Sequence, residues 1–305
     1  MIRGFALAVI AVVLVWPVRA LLLRARWTEL TPRAAIVLWQ AVGLAAGVAL
    51  FGACFELASS ASPNPGRRQN ITDLTASFAA AHASRAVSPN GLFGLTAGLI
   101  IAILLVGSLV VRAVGLSRAR ARQRMLIDLV GTTRTGVPGA LVLEHPQATA
   151  FSLPGLRPRV VVSSGAVNAL ADDELAAVLA HERAHVRARH DLVLFPFRSL
   201  AWILPRSRSL AAVSDQVSTL VEMAADDRAF RECEPKALAR ALCRLSSTAV
   251  LPVGLAATAS GTTRRVERAF AGRQRAWLLT CGSACSALGV LALPLLVLFA
   301  PSGGR

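Results

Sequence analysis

Four stretches of this chain are long and apolar enough to cross a bilayer, which takes about 20 helical residues. They are 4–23, 35–57, 92–111 and 276–299. A chain built this way is not an ordinary soluble domain. Only 16% of its 305 residues are charged, and the mean hydropathy is +0.56; soluble proteins carry roughly 25% charged residues. The first stretch has a competing reading as a secretory signal, with Arg3 before the apolar run and Ala20 at a cleavage position. Leu21–Leu23 prolong the run and Arg24 and Arg26 follow it, which favours a span.

Basic residues beside the spans set the expected orientation, because Arg-rich short loops stay on the cytosolic side. The first loop has Arg24, Arg26 and Arg33. Arg112, Arg118, Arg120, Arg122 and Arg124 follow the third span, and Arg264, Arg265, Arg268, Arg273 and Arg275 precede the fourth. The loop 58–91 is sparser in charge and holds the turn cluster 62–66. The consistent solution puts both termini and 58–91 outside and 112–275 inside. Three domains are therefore expected: 1–111 with three spans, a cytosolic domain over 112–275, and 276–305 with the fourth span and a short tail.

The whole chain carries +16, and 112–275 has 24 basic against 14 acidic residues. Such a balance suits either nucleic acid or an anionic membrane surface. No helix-turn-helix, zinc-finger or RNP pattern accompanies it, so membrane lipid is the expected partner and direct nucleic-acid binding is not. The five Cys are scattered without a CxxC, which argues against a disulfide framework or a Cys-based zinc module.

Within 112–275, the segments 140–144, 149–153 and 159–163 read as short strands between Pro and Gly turns. A helix is expected from Asp172, as N-cap, without interruption to Pro196. It carries His181-Glu182-Arg183-Ala184-His185, the HExxH pattern. Residues four apart lie one above the other on a helix, so both imidazoles can reach one zinc ion. Glu182 then faces the reacting water as general base.

A catalytic zinc needs a third protein ligand. The metzincin solution fails, since Asp191 stands where its third His belongs. On a continuous helix His190 lies about 140° round from His185 and about 180° from His181, so it is expected to cap or salt-bridge at the helix end. The alternative is a carboxylate from a second helix. Glu222 and Asp226 share a face at i,i+4, so Glu222 can ligate while Asp226 holds a ligand histidine.

HExxH followed by ExxAD, between a third and a fourth span, resembles the BlaR/MecR antirepressor family of integral-membrane zinc metallopeptidases, with the segment 151–163 adding to the likeness. The related HtpX and CAAX prenyl proteases share the active-site motif. The resemblance implies a mainly α integral membrane protein with four transmembrane helices and a cytosolic zincin-like α+β metallopeptidase domain. It implies one zinc per chain on His181, His185 and Glu222, with Glu182 as catalyst and Asp226 behind a ligand. The penicillin-binding sensor of that family is not expected, because the chain given ends six residues after the fourth span and its sole Lys, Lys236, has Cys233 three positions before it where SxxK needs Ser.

The implied activity is zinc-dependent endopeptidase cleavage at the bacterial inner membrane. The expected substrate is a cytosolic or membrane protein, with a transcriptional repressor favoured and signal transduction as the role. HtpX-like quality control and a non-catalytic membrane signalling module are the rivals; the intact Glu182 argues against the latter. With no Tyr in the chain, the oxyanion donor is an Arg, His145 or a backbone N–H. An extended substrate is expected to add to an edge strand around 159–163. The apolar segment 192–204 is expected as a buried or interfacial helix, being too short to cross.

Overall fold

The computed structural model describes residues 2–59, 89–155, 157–248, 256–271 and 277–299. Most of the loop 58–91, with His82, lies outside them. The chain is mostly helical and divides into two compact units: Met1–Ala25, Val37–Val110 and Leu278–Arg305, and then Arg26–Ile36 with Val111–Trp277. The second unit takes in the segment that the sequence assigns to the first loop.

In the first unit, α1 (Ile2–Arg24), α3 (Pro32–Ser59) and α11 (Trp277–Phe299) pack through a small apolar cluster. Leu7 and Ala49 are fully buried there against Val297 and Leu298. Gly52 makes room for them, since a Cβ at that position would stand 3.0 Å from Leu7 Cδ1. Small residues at helix contacts let apolar helices approach where lipid removes the hydrophobic drive. Pro17 sits in a π-helical stretch of α1, Leu14–Val18, as expected where a missing N–H disturbs the ladder. Phe5, Trp16, Leu104 and Phe299 stand exposed on these helices. Among the described residues, four helices are long and apolar enough to cross a membrane: Ile2–Arg24, Pro32–Leu57, Thr96–Val130 and Leu278–Phe299. The third belongs to α4 (Pro89–Val130), which does not stop at the expected 111 but continues through the Arg cluster.

The second unit is built round a three-stranded sheet: β1 (Leu141–Leu143), β2 (Ala150–Leu153) and β3 (Arg159–Ser163), in the order β1-β3-β2. β3 pairs in parallel with β1 and antiparallel with β2. It is therefore the centre of the sheet and not the edge expected around 159–163. Its consecutive Val160, Val161 and Val162 are all buried, the pattern of a strand covered on both faces.

Ser163 ends β3 and caps α5 (Ser164–Ala169), its Oγ accepting from Ala166 N at 3.0 Å. α6 (Asp172–Arg187) packs against β2, β3, α8 (Arg208–Ala229) and α9 (Pro235–Thr248). Leu175, Val178 and Leu179 are its buried stripe, meeting Val142, Val162 and Leu238 in the core. Its start is fixed by Glu174, which is 1% exposed, accepts from Ala171 N at 3.1 Å and pairs with Arg240 and Arg244. Ala171, one residue before the expected Asp172, is the N-cap.

The expected single helix to Pro196 is two helices. Arg189 takes a left-handed conformation, φ 51°, and α7 (His190–Ile203) begins immediately after it. Pro196 lies inside α7. The short helix α2 (Trp27–Leu30) contacts α8, and its Glu29 pairs at 2.7 Å with Arg264 of α10 (Ala256–Ala271).

Candidate metal centre

His181 and His185 stand one turn apart on α6 with their rings edge-on, centroids 4.7 Å apart. Their Nε2 atoms face each other at 3.1 Å. From α8, Glu222 brings Oε2 to 3.4 Å from His181 Nε2 and Oε1 to 3.5 Å from His185 Nε2. A tetrahedral zinc holds N and O ligands at about 2.0–2.1 Å, so neighbouring ligand atoms lie about 3.3 Å apart. The three contacts match that spacing, and these residues form the cluster able to hold a metal ion among the described residues.

Behind them stands Asp226, 2% exposed, with Oδ1 2.9 Å from His181 Nδ1. Burial depresses the pKa of His181, but the carboxylates of Asp226 and Glu222 outweigh it and hold it up at about 9. Glu222 and Asp226 are themselves held below the usual carboxylate range despite burial, Glu222 by the two imidazoles and Asp226 by Arg265 and His181.

Arg265 is the residue that sequence reasoning missed. Its Nε and Nη2 donate to the two oxygens of Asp226, both at 2.8 Å, and its Nη1 lies 3.2 Å from Glu222 Oε2. In the sequence it belongs to an Arg cluster beside a span and reads as a membrane flank. Thirty-nine residues separate it from Asp226, too far for any local spacing rule to join them.

His190 departs from expectation too. It is 7% exposed, and its Nδ1 lies 3.0 Å from His185 Nδ1. The left-handed turn at Arg189 ends α6, so a helical projection from His185 no longer gives the ring's direction. Burial, reinforced by the His185 imidazole, lowers its pKa to about 4. His190 is therefore neutral near pH 7.

Glu182 and His185 line a cleft of about 400 Å³ together with Glu222, His190 and, from β2, Phe151 and Ser152. β2 is an edge of the sheet among the described residues, and takes the place that the sequence gave to β3. His145 lies in a separate depression with Glu144 and Asn168, its Nδ1 accepting from Gln147 N at 3.2 Å. It is not among the residues of the metal cluster or the cleft.

Residues 116–200 match the model of Peptidase family M48. Over that stretch, less than a third of its length, the chain is similar to a family of metallopeptidases. The match takes in His181, Glu182 and His185 and stops before Glu222. No solved structure gives a significant match to the chain.

Proposed function

We propose that this protein is a membrane-embedded zinc endopeptidase whose metal is held by His181, His185 and Glu222. The observation that carries this is the triangle of 3.1, 3.4 and 3.5 Å contacts among three ligand atoms from two helices. Zinc bound there would supply Lewis-acid polarisation of the scissile carbonyl and of water. Glu182, on the intervening turn of α6, takes the proton of the attacking water and passes it to the leaving nitrogen. With Oδ1 2.9 Å from His181 Nδ1, Asp226 would hold the proton on that nitrogen and leave Nε2 to the metal. A neutral His190 does the same for His185, accepting from its Nδ1–H. Arg265 fixes both carboxylates of α8. The free edge of β2 receives an extended substrate backbone, placing the scissile bond beside Glu182.

The order of HExxH, ExxAD and apolar spans supports regulatory proteolysis in the manner of the BlaR/MecR family, with a cytosolic transcriptional repressor as substrate. The Arg-rich continuation of α4 past residue 111 supports a bacterial inner-membrane protein with this unit on the cytosolic side. Membrane-protein quality control in the HtpX manner uses the same site. Protein purified in detergent tests the reading. It should hydrolyse an unfolded protein such as casein, lose the activity to 1,10-phenanthroline, and regain it with one equivalent of zinc. Activity that survives complete metal removal would sink it.

A further inference from the structure

The cleft that leaves the metal cluster runs between α4 and α7, and its far end is chemically unlike its near end. Two contacts fix these helix segments as antiparallel. Arg120 pairs with Asp191 at 2.9 Å, and the Arg112 guanidinium stacks on the Trp202 ring, 5.3 Å from its centroid. The first contact lies beside His190, at the metal end. The second lies two to three turns away, where Arg198, one turn before Trp202, also lines the cleft.

The charge of Arg120 is neutralised by Asp191. Arg112 and Arg198 have no carboxylate partner among the described residues, and between the two ends the walls are Leu116, Leu194 and Phe195. Beside Arg198, Ser199 is 1% exposed, lines the same cleft, and its Oγ has no hydrogen-bond partner among the described residues. A buried hydroxyl without a partner costs stability, and a bound ligand group would satisfy it. Two guanidinium groups without a carboxylate partner and a hydroxyl without a hydrogen-bond partner among the described residues, at the end of an apolar slot, complement a carboxylate.

The position of that carboxylate follows from helix geometry. Arg198 lies eight residues along α7 from His190, about 12 Å at 1.5 Å per residue. An extended peptide covers that distance in three or four residues, at about 3.3 Å each. We propose that Arg112, Arg198 and Ser199 form a specificity subsite for an Asp or Glu side chain three or four residues from the scissile bond. The substrate is then a protein segment with an acidic residue there and apolar residues between. This rests on the peptidase reading above and adds the substrate class to it.

The test uses the full chain in detergent, loaded with zinc. The probes are fluorogenic peptides of one neutral sequence carrying Asp or Asn in turn at each position within four residues of the cleaved bond. The Asp peptide should exceed its Asn counterpart about tenfold in kcat/KM at one position three or four residues out, the worth of one charge-assisted hydrogen bond. Arg198→Glu should invert that preference towards Lys at the same position. Arg112→Gln, on the other helix, should lower the Asp-to-Asn ratio independently. One zinc per chain in each variant shows that it has folded. Cleavage with Asp-to-Asn ratios within twofold at every position overturns the subsite and leaves the peptidase reading standing. Cleavage of no peptide by the unaltered protein overturns both. If both variants instead weaken binding to phosphatidylglycerol vesicles while the ratio stays constant, the arginines face lipid and the subsite is overturned.

Discussion

Replacing Asp226 by Ala separates the support of the proposed metal cluster from its proposed ligands. The carboxylate makes three close contacts: 2.9 Å to His181 Nδ1, and 2.8 Å to each of Arg265 Nε and Nη2. Its loss leaves the His181 ring free to turn and to choose the wrong tautomer, which ordinarily lowers metal affinity 10–100-fold. The upper end of that range is expected here. Arg265 keeps Glu222 as its one carboxylate among the described residues, at 3.2 Å, with His181 Nε2 3.4 Å from its Nη2, and a guanidinium drawn onto that carboxylate competes with the metal. Breaking a buried ion pair from one side costs about 3–5 kcal/mol. The contact to Glu222 and the 10% exposure of the Arg265 side chain bring this down to about 2–3 kcal/mol. The double variant Asp226→Ala, Arg265→Ala removes the stranded cation as well. It should regain most of the stability but not the zinc affinity, since His181 stays unsupported. Chelator competition gives the affinity, and thermal unfolding in detergent without metal gives the stability. Zinc affinity of Asp226→Ala within twofold of the unaltered protein would refute this reasoning.

Two backbone substitutions test the scaffold that presents the cluster. A Cβ at Gly165 would overlap the backbone carbonyl of Pro146, and neither side can yield cheaply. Gly165→Ala should destabilise the second unit by about 1–3 kcal/mol, and an unchanged midpoint in thermal unfolding would contradict the packing there. Arg189, at φ 51°, bears a left-handed conformation that costs a side chain about 1–2 kcal/mol. Arg189→Gly should be more stable than Arg189→Val by at least about 1 kcal/mol, even though both lose the hydrogen bond from Arg189 to Gly155 O; the reverse order would deny the break between α6 and α7.

The parts of the site that local periodicity can encode were legible in the sequence. His181 and His185 share a face because four residues make about one turn, and Glu222 and Asp226 do so for the same reason. The stripe of Leu175, Val178 and Leu179 also followed from spacing alone. The break at Arg189 left no trace, because no Gly or Pro marks it. His190 was consequently projected to the wrong direction. Arg265 was hidden by its company, since a cluster of arginines beside a span has a sufficient explanation in membrane orientation. The central position of β3 was legible and misread. Three consecutive valines signal a strand buried on both faces, and an edge strand would have alternated.

The most direct measurement joins zinc content and peptide-bond cleavage in Glu182→Gln. Glu182 lines the cleft beside His185 and Glu222 but is not one of the three clustered ligands. An amide there should leave the zinc content at about one per chain and the fold intact. Cleavage should fall by at least about 100-fold, the usual worth of a positioned general base. Full zinc with cleavage lost is the predicted result. Full zinc with cleavage unchanged would contradict the role of Glu182, and loss of zinc together with cleavage would mean that the metal is not held by His181, His185 and Glu222 alone.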